Sequence, residues 1–153
     1  MVFRRRGPHS SGPPGRDSRY HGVYFITLNV RRRARVLSVI RDGRALHTDA
    51  GNEVEQALVT VCARYRGVAL DTWVIMPDHV HVVVKLGVDA EKGLHALIGM
   101  VKGLSARMIN RLWDTEGRRF WQRGFDCGVV RTAEQLARVR QYVTQNPNRW
   151  PPT

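Results

Sequence analysis

The feature that most restricts the fold is residues 76–85, which read MPDHVHVVVK and place two histidines at the start of a β-branched run. Side chains alternate between faces along a strand, so His79 and His81 share one face while the intervening valines line the other. Pro77 and Asp78 predict a turn directly before them, after an earlier apolar strand. We therefore expect a hairpin whose second strand presents a clamp of two imidazoles.

The length of 153 residues suits one domain with a real core, which we expect to span residues 21–150. No apolar run approaches the ~20 residues that a membrane helix needs, so we expect no membrane partner. Cys62 and Cys127 lie far apart without C-x-x-C spacing, which favours packing roles in a reduced cytoplasm.

The formal net charge of +12 and the sequence pI of about 11.1 predict a nucleic-acid partner. The 25 basic residues are mostly arginine, which makes planar, bidentate contacts with phosphate. The competing interpretation is a merely soluble basic surface. Residues 1–20 hold five arginines and one aspartate among glycine, proline and serine, and we expect a disordered basic tail rather than a targeting peptide.

Apolar periodicity and turn signals predict an α+β fold. The order strand, helix, strand, strand, helix, strand, helix is that of a ferredoxin-like or RRM-like split βαβ domain. It predicts a four-stranded antiparallel sheet with helices on one face, plus a C-terminal helix that carries a tyrosine. The expected strands are residues 23–30, 68–76, 79–86 and 129–130, with helices from Thr48, over 94–112 and over 133–145, and a small ribbon over 36–46.

The last predicted helix offers partners for the clamp. At ~100° per residue, Leu136, Val139 and Val143 cluster on one side, while Tyr142 and Asn146 lie one turn apart on its flank. Two neutral imidazoles bind a divalent metal but leave its coordination incomplete, so an amide oxygen could join them. The free pKa of a tyrosine is about 10, so a tyrosine nucleophile needs a polarised electrophile.

A basic segment at residues 118–131, RRFWQRGFDCGVVR, interleaves aromatic side chains with arginines. Such a pattern suits single-stranded nucleic acid, although Trp121 and Phe125 could instead be core, and the basic residues of the second helix could form a solvated face. The candidate DNA-binding residues are Arg31, Arg33, Lys102, Arg107, Arg118, Arg119, Trp121, Arg123 and Arg131.

The combination of HVH at residues 79–81 and YVTQNP at residues 142–147 resembles the single-tyrosine HUH transposases. Among these it resembles specifically the REP-associated tyrosine transposases related to the insertion-sequence-200 type. It extends over residues 20–150 and includes DTWVIMPDHVH, FWQRGF and the terminal NPNRW.

This resemblance implies a metal-dependent endonuclease and strand transferase that acts on single-stranded DNA, near hairpins. It implies that His79, His81 and Asn146 hold Mg²⁺ or Mn²⁺. By the same resemblance, Tyr142 attacks a phosphodiester, forms a 5′-phosphotyrosyl intermediate and releases a 3′-hydroxyl. Relatives act as monomers or homodimers, and the sequence leaves both open. The resemblance also implies a bacterial, cytoplasmic protein associated with the nucleoid.

Two positions depart from the family pattern. Asp78 stands where asparagine is common, and we interpret it as a turn residue rather than a group that supports a ligand. Cys127 and Gly128 stand where relatives often carry an acidic residue followed by histidine. This departure favours the main rival, a non-catalytic RRM-like module that binds single strands or hairpins. A replication or conjugation nicking enzyme is a third possibility, which the short chain and the single candidate for a nucleophilic tyrosine disfavour.

Overall fold

The computed structural model describes residues 21–151 and contains six strands and three α-helices within that range. The predicted basic tail lies outside the described residues. No helix within residues 21–151 is long and apolar enough to cross a bilayer. The elements are β1 (Gly22–Asn29), β2 (Ser38–Arg41), β3 (Arg44–His47), α1 (Asp49–Arg64), β4 (Val68–Ile75), β5 (His79–Leu86), α2 (Leu94–Trp113), β6 (Asp126–Val130) and α3 (Ala133–Gln145).

The main sheet has the strand order β4-β5-β1-β6, and every neighbouring pair is antiparallel. Strand β5 lies between β1 and β4, which is the split βαβ arrangement, so the predicted fold class is confirmed. The histidine strand is therefore central. Its cross-strand register places Thr27 opposite His81 and Asn29 opposite His79.

Helices α1 and α2 cover one face of this sheet and build the larger apolar core. Thr48 caps the N-terminus of α1, as predicted, because its side chain accepts a hydrogen bond from the Gly51 backbone N–H. The inward side chains alternate along the strands, as a half-covered strand requires. Fully buried members of this core include Ile26, Leu28, Leu58, Val80, Val82, Leu97 and Ile109.

Helix α3 packs on the opposite face of the sheet, which α1 and α2 do not cover. Its bounds match the predicted ones, and Thr132 caps its first turn by accepting a hydrogen bond from Gln135 N–H. Val139 and Val143 are fully buried against Phe25 and Val83 of the sheet. This second apolar cluster is far smaller than the first.

Strand β4 contains a β-bulge at Asp71. Leu70 pairs with Val84 and Thr72 pairs with Val83, so Asp71 is an extra residue on the β4 side. Because of the bulge, Asp71 and Thr72 both lie on the α3 face of the sheet.

Two smaller segments complete the fold. The predicted ribbon is confirmed as β2 and β3, which pair around Asp42 and Gly43, both with positive φ. The fourth strand is longer than the predicted residues 129–130, because β6 begins at Asp126.

Candidate functional site

The two histidines of β5 lie side by side on the α3 face, with ring centroids 4.6 Å apart. Both are buried, and each has a polar partner at Nδ1. His81 Nδ1 shares a 2.9 Å hydrogen bond with Thr27 Oγ1 from the neighbouring strand, and His79 Nδ1 lies 2.6 Å from Asp78 Oδ1. These contacts fix both ring orientations.

Asp78 does more than form the turn, so our interpretation of it as only a turn residue is corrected. Its carboxylate is buried, accepts the His79 Nδ1–H bond, and accepts bonds from Arg33 at 3.0 and 3.3 Å. Burial works against ionisation, but the hydrogen bonds from His79 and Arg33 together hold the pKa of Asp78 below its ordinary value. A carboxylate behind a histidine orients the ring and strengthens it as a ligand.

Burial disfavours the charged form of His79 as well, and for a base this lowers the pKa. Removal of the ring from water lowers the pKa of His79, although the bond to Asp78 partly opposes this. The imidazole is therefore held in its neutral form near physiological pH. Neutral imidazole is the form that binds metal ions.

Helix α3 brings the predicted nucleophile and the predicted third ligand to this pair. The Tyr142 ring centroid lies 5.5 Å from that of His81 and 6.0 Å from that of Phe25, which stacks on His81. Asn146 follows the last residue of α3, is only 8% exposed, and hydrogen-bonds with the side chain of His79. The four residues singled out from the sequence thus meet within one chain.

The donor set fits a divalent metal that tolerates nitrogen ligands. Among residues 21–151, no three His, Cys, Asp or Glu side chains form a metal-binding group, so a third protein ligand must come from another residue type. The amide of Asn146 meets that need, because it already touches His79. Two imidazoles with one amide oxygen suit Mn²⁺, and Mg²⁺ with added water ligands.

Two guanidinium groups beside the site were missed by the sequence reasoning. Arg149 lies over the Tyr142 ring at 5.3 Å, and Arg35 lies over the Trp150 ring at 5.1 Å. Trp150 in turn lies 6.1 Å from His79. The NPNRW segment after α3 was the available signal, since it follows the tyrosine by less than three turns.

The candidate DNA-binding residues divide into two groups. Exposed arginines are Arg31, Arg107, Arg118, Arg119, Arg123 and Arg131. Several belong to segments that meet at the histidine end of β1, where Arg31 N–H donates to Phe120 O and Gln122 N–H donates to Asn29 O. Their predicted DNA contacts stay predictions.

Three other candidates have structural partners. Trp121 is only 4% exposed and its indole N–H donates to Ser105 Oγ, so its predicted role as a DNA-stacking residue is corrected to packing. Lys102 donates to the carbonyls of Gln122 and Gly124 at 2.8 Å, which ties the segment after Trp121 to α2. Arg33 is also exposed, but its guanidinium group donates hydrogen bonds to Asp78.

The departure at Cys127 and Gly128 falls beside the site. Gly128 pairs with Phe25 across β1 and β6, and cross-strand partners share a face. A histidine at Gly128 would therefore have stood next to Phe25. Cys127 pairs with Ile26 and packs toward the larger core.

Comparison with known proteins identifies a matching family and a relative. A family profile described as "Transposase IS200 like" matches residues 31–146. An uncharacterised protein of Haemophilus influenzae is 23% identical over an alignment of 155 positions. The alignment covers 86% of this chain and 83% of that protein.

Two solved structures have similar folds. A REP-associated tyrosine transposase bound to a REP hairpin has a TM-score of 0.64 at 20% identity, over 85% of this chain and 70% of its own. A candidate transposase from Deinococcus radiodurans R1 has a TM-score of 0.55 at 18% identity, over 81% of this chain and 89% of its own.

Proposed function

Because this chain belongs to the IS200-like transposase family, we propose that it cuts and rejoins single-stranded DNA through a covalent tyrosine intermediate. The observation that carries this proposal is the meeting of Tyr142 with His81, 5.5 Å between ring centroids, while Asn146 contacts His79. A nucleophile and a ligand set must share one pocket for such chemistry. In this structure a single chain carries both groups.

In the proposed reaction, Tyr142 Oη attacks a backbone phosphorus atom. The bond from phosphorus to the 3′ oxygen breaks, the phenolic proton passes to that leaving oxygen by way of solvent, and a 5′-phosphotyrosine with a free 3′-hydroxyl results. Because one phosphodiester bond replaces another, rejoining needs no external energy source. Phe25 and Arg149 both contact the phenol ring, and these contacts would limit its motion during attack.

His79, His81 and Asn146 would hold the metal, Mg²⁺ or Mn²⁺, which supplies positive charge that polarises the scissile phosphate. Asp78 and Thr27 keep the two rings in place by their bonds at Nδ1. Burial keeps His79 neutral, as a ligand must be.

The proposed substrate is single-stranded or hairpin DNA. The exposed arginines near the histidine end of β1 would bind the phosphate backbone, which makes binding sensitive to salt. A similar fold has been solved with a REP hairpin bound, which supports the choice of a hairpin substrate.

A labelled single-stranded hairpin tests the proposal. Wild-type protein with Mn²⁺ should give a covalent protein–DNA band on a denaturing gel, and Tyr142→Phe should give none, because the phenol oxygen is the attacking atom. Tyr65→Phe is the matched control, since the Tyr65 hydroxyl contacts Met100 away from the histidines. A persistent adduct in Tyr142→Phe would refute the proposal.

The same gel decides the rival function. Gly128 removes a polar side chain beside Phe25, and this favours a module that binds hairpins without cutting them. Tight hairpin binding without any adduct in the wild-type protein would support that rival.

A further inference from the structure

We infer that the ion pair between Asp71 and Arg140, here called the α3 latch, is a positioning device that keeps Tyr142 turned toward the histidines. The inference rests on the proposed role of Tyr142 and extends it to residues outside the site.

The α3 latch is a bidentate ion pair rather than a single contact between two exposed side chains. Arg140 Nε and Nη2 donate to the two carboxylate oxygens of Asp71 at 2.9 and 2.6 Å. Such bidentate pairs are more directional than single contacts. The Asp71 side chain is only 10% exposed and also contacts Lys85 at 3.3 Å and the Thr72 hydroxyl at 2.7 Å.

The bulge in β4 is what places the acceptor. As the extra residue of β4, Asp71 is free to serve the α3 face together with Thr72. Bulges often aim a side chain beside an active site. The hydrogen bonds from Arg140, Thr72 and Lys85 lower the pKa of Asp71 well below its ordinary value, despite partial burial, so the carboxylate stays charged.

Helix α3 needs such a contact because its apolar attachment is small. Val139 and Val143 are its only fully buried side chains among the described residues. Leu136 and Tyr142 pack against the same cluster but are only partly buried, so the apolar row along α3 is narrow and gives little resistance to rotation of the helix about its axis. Arg140 holds the side of α3 toward the edge strand β4, whereas Tyr142 meets the central strands through Phe25 and His81. Together the two contacts fix the rotation of α3.

The experiment uses the full chain with Arg140→Gln, Arg140→Lys and Asp71→Asn. The matched control is Arg138→Gln, which removes the same charge from an exposed position on the same helix. Three quantities are measured: amide hydrogen exchange in α3, the single-turnover rate of adduct formation at saturating hairpin DNA, and the Kd for that DNA.

In Arg140→Gln and Asp71→Asn, we expect α3 amides to exchange about tenfold faster while β1 and β5 amides are unchanged. Adduct formation should slow by about tenfold to a hundredfold, because small misplacements of a nucleophile are costly. The Kd for DNA should match that of Arg138→Gln within about twofold. Arg140→Lys should restore part of the rate, since it keeps the charge but not the bidentate geometry.

Several outcomes would overturn the inference: exchange and rate equal to those of Arg138→Gln, a rate loss explained by weaker DNA binding, or unfolding of the whole chain in both Arg140→Gln and Asp71→Asn. If the wild-type protein forms no adduct, the proposed function fails, and hydrogen exchange in α3 still decides whether the latch orders the helix.

Discussion

The two faces of the sheet differ in what holds them together. The face under α1 and α2 is a continuous apolar core, with fully buried side chains from both helices and from three strands. The face under α3 holds a small cluster around Val139 and Val143, and polar groups fill the remainder. We expect the face under α1 and α2 to supply most of the free energy of folding. The face under α3 holds its helix less firmly and carries the candidate site. Functional elements are commonly the less stable ones.

The largest expected effect isolates the chemistry of the α3 face. His81→Ala should abolish metal-dependent cleavage while most DNA affinity remains, because arginines supply the phosphate contacts. Chelation of the metal by EDTA should have the same effect on the wild-type protein. Cleavage assays and hairpin titrations check this, and cleavage that is indifferent to chelator would contradict the assignment of the ligands.

The next effect probes the opposite face. Leu97→Ala should lower the free energy of unfolding by about 2–5 kcal/mol, because the truncated side chain leaves a cavity in the larger core. Urea unfolding followed by circular dichroism measures the loss. A cost below that of the α3 substitution described next would reverse our ranking of the two faces.

Val143→Ala tests the smaller cluster. Removal of about two methylene equivalents should cost about 1–2 kcal/mol. We expect the damage to be local, with faster amide exchange in α3 and unchanged exchange in β1. Uniform acceleration across the sheet would mean that both faces unfold as one unit.

The smallest effect concerns acid. The pKa of Asp71 is lowered in the folded chain, so its contribution to stability is present above the ordinary aspartate pKa and is lost as pH falls toward the folded value. Wild-type protein should therefore lose more stability between neutral pH and about pH 3 than Arg140→Gln does. Parallel urea titrations of these two proteins and Arg138→Gln measure the difference. Equal acid slopes for wild type and Arg140→Gln would count against the ion pair.

Local patterns in the sequence predicted most of the architecture and which candidate site residues lie near one another. Alternation on β5 placed His79 and His81 together, and helical spacing placed Tyr142 near Asn146. Such patterns could not predict which side chains contact the histidines from a neighbouring strand, because those contacts depend on cross-strand register. Thr27 meets His81 and Phe25 stacks on it only because β1 pairs with β5 in this register.

Other errors came from residues with two plausible roles. An aspartate after proline is typical of a turn, and nothing local reveals that Asp78 also bonds with His79 and Arg33. Arginines around Trp121 favoured a DNA surface, but the indole finds its hydrogen-bond partner on α2. Long-range partners decide such cases.

The bulge in β4 makes one residue of this strand removable without a change of register. Before it, Val68 and Leu70 face the larger core, and after it Trp73 packs toward the same core, so the inward positions change from even to odd numbers. Deletion of Asp71 would leave Leu70 and Thr72 paired with Val84 and Val83 without interruption, so every other residue of β4 would keep its face. The extra residue therefore adds a carboxylate to the α3 face without a change of face at any other position of the strand.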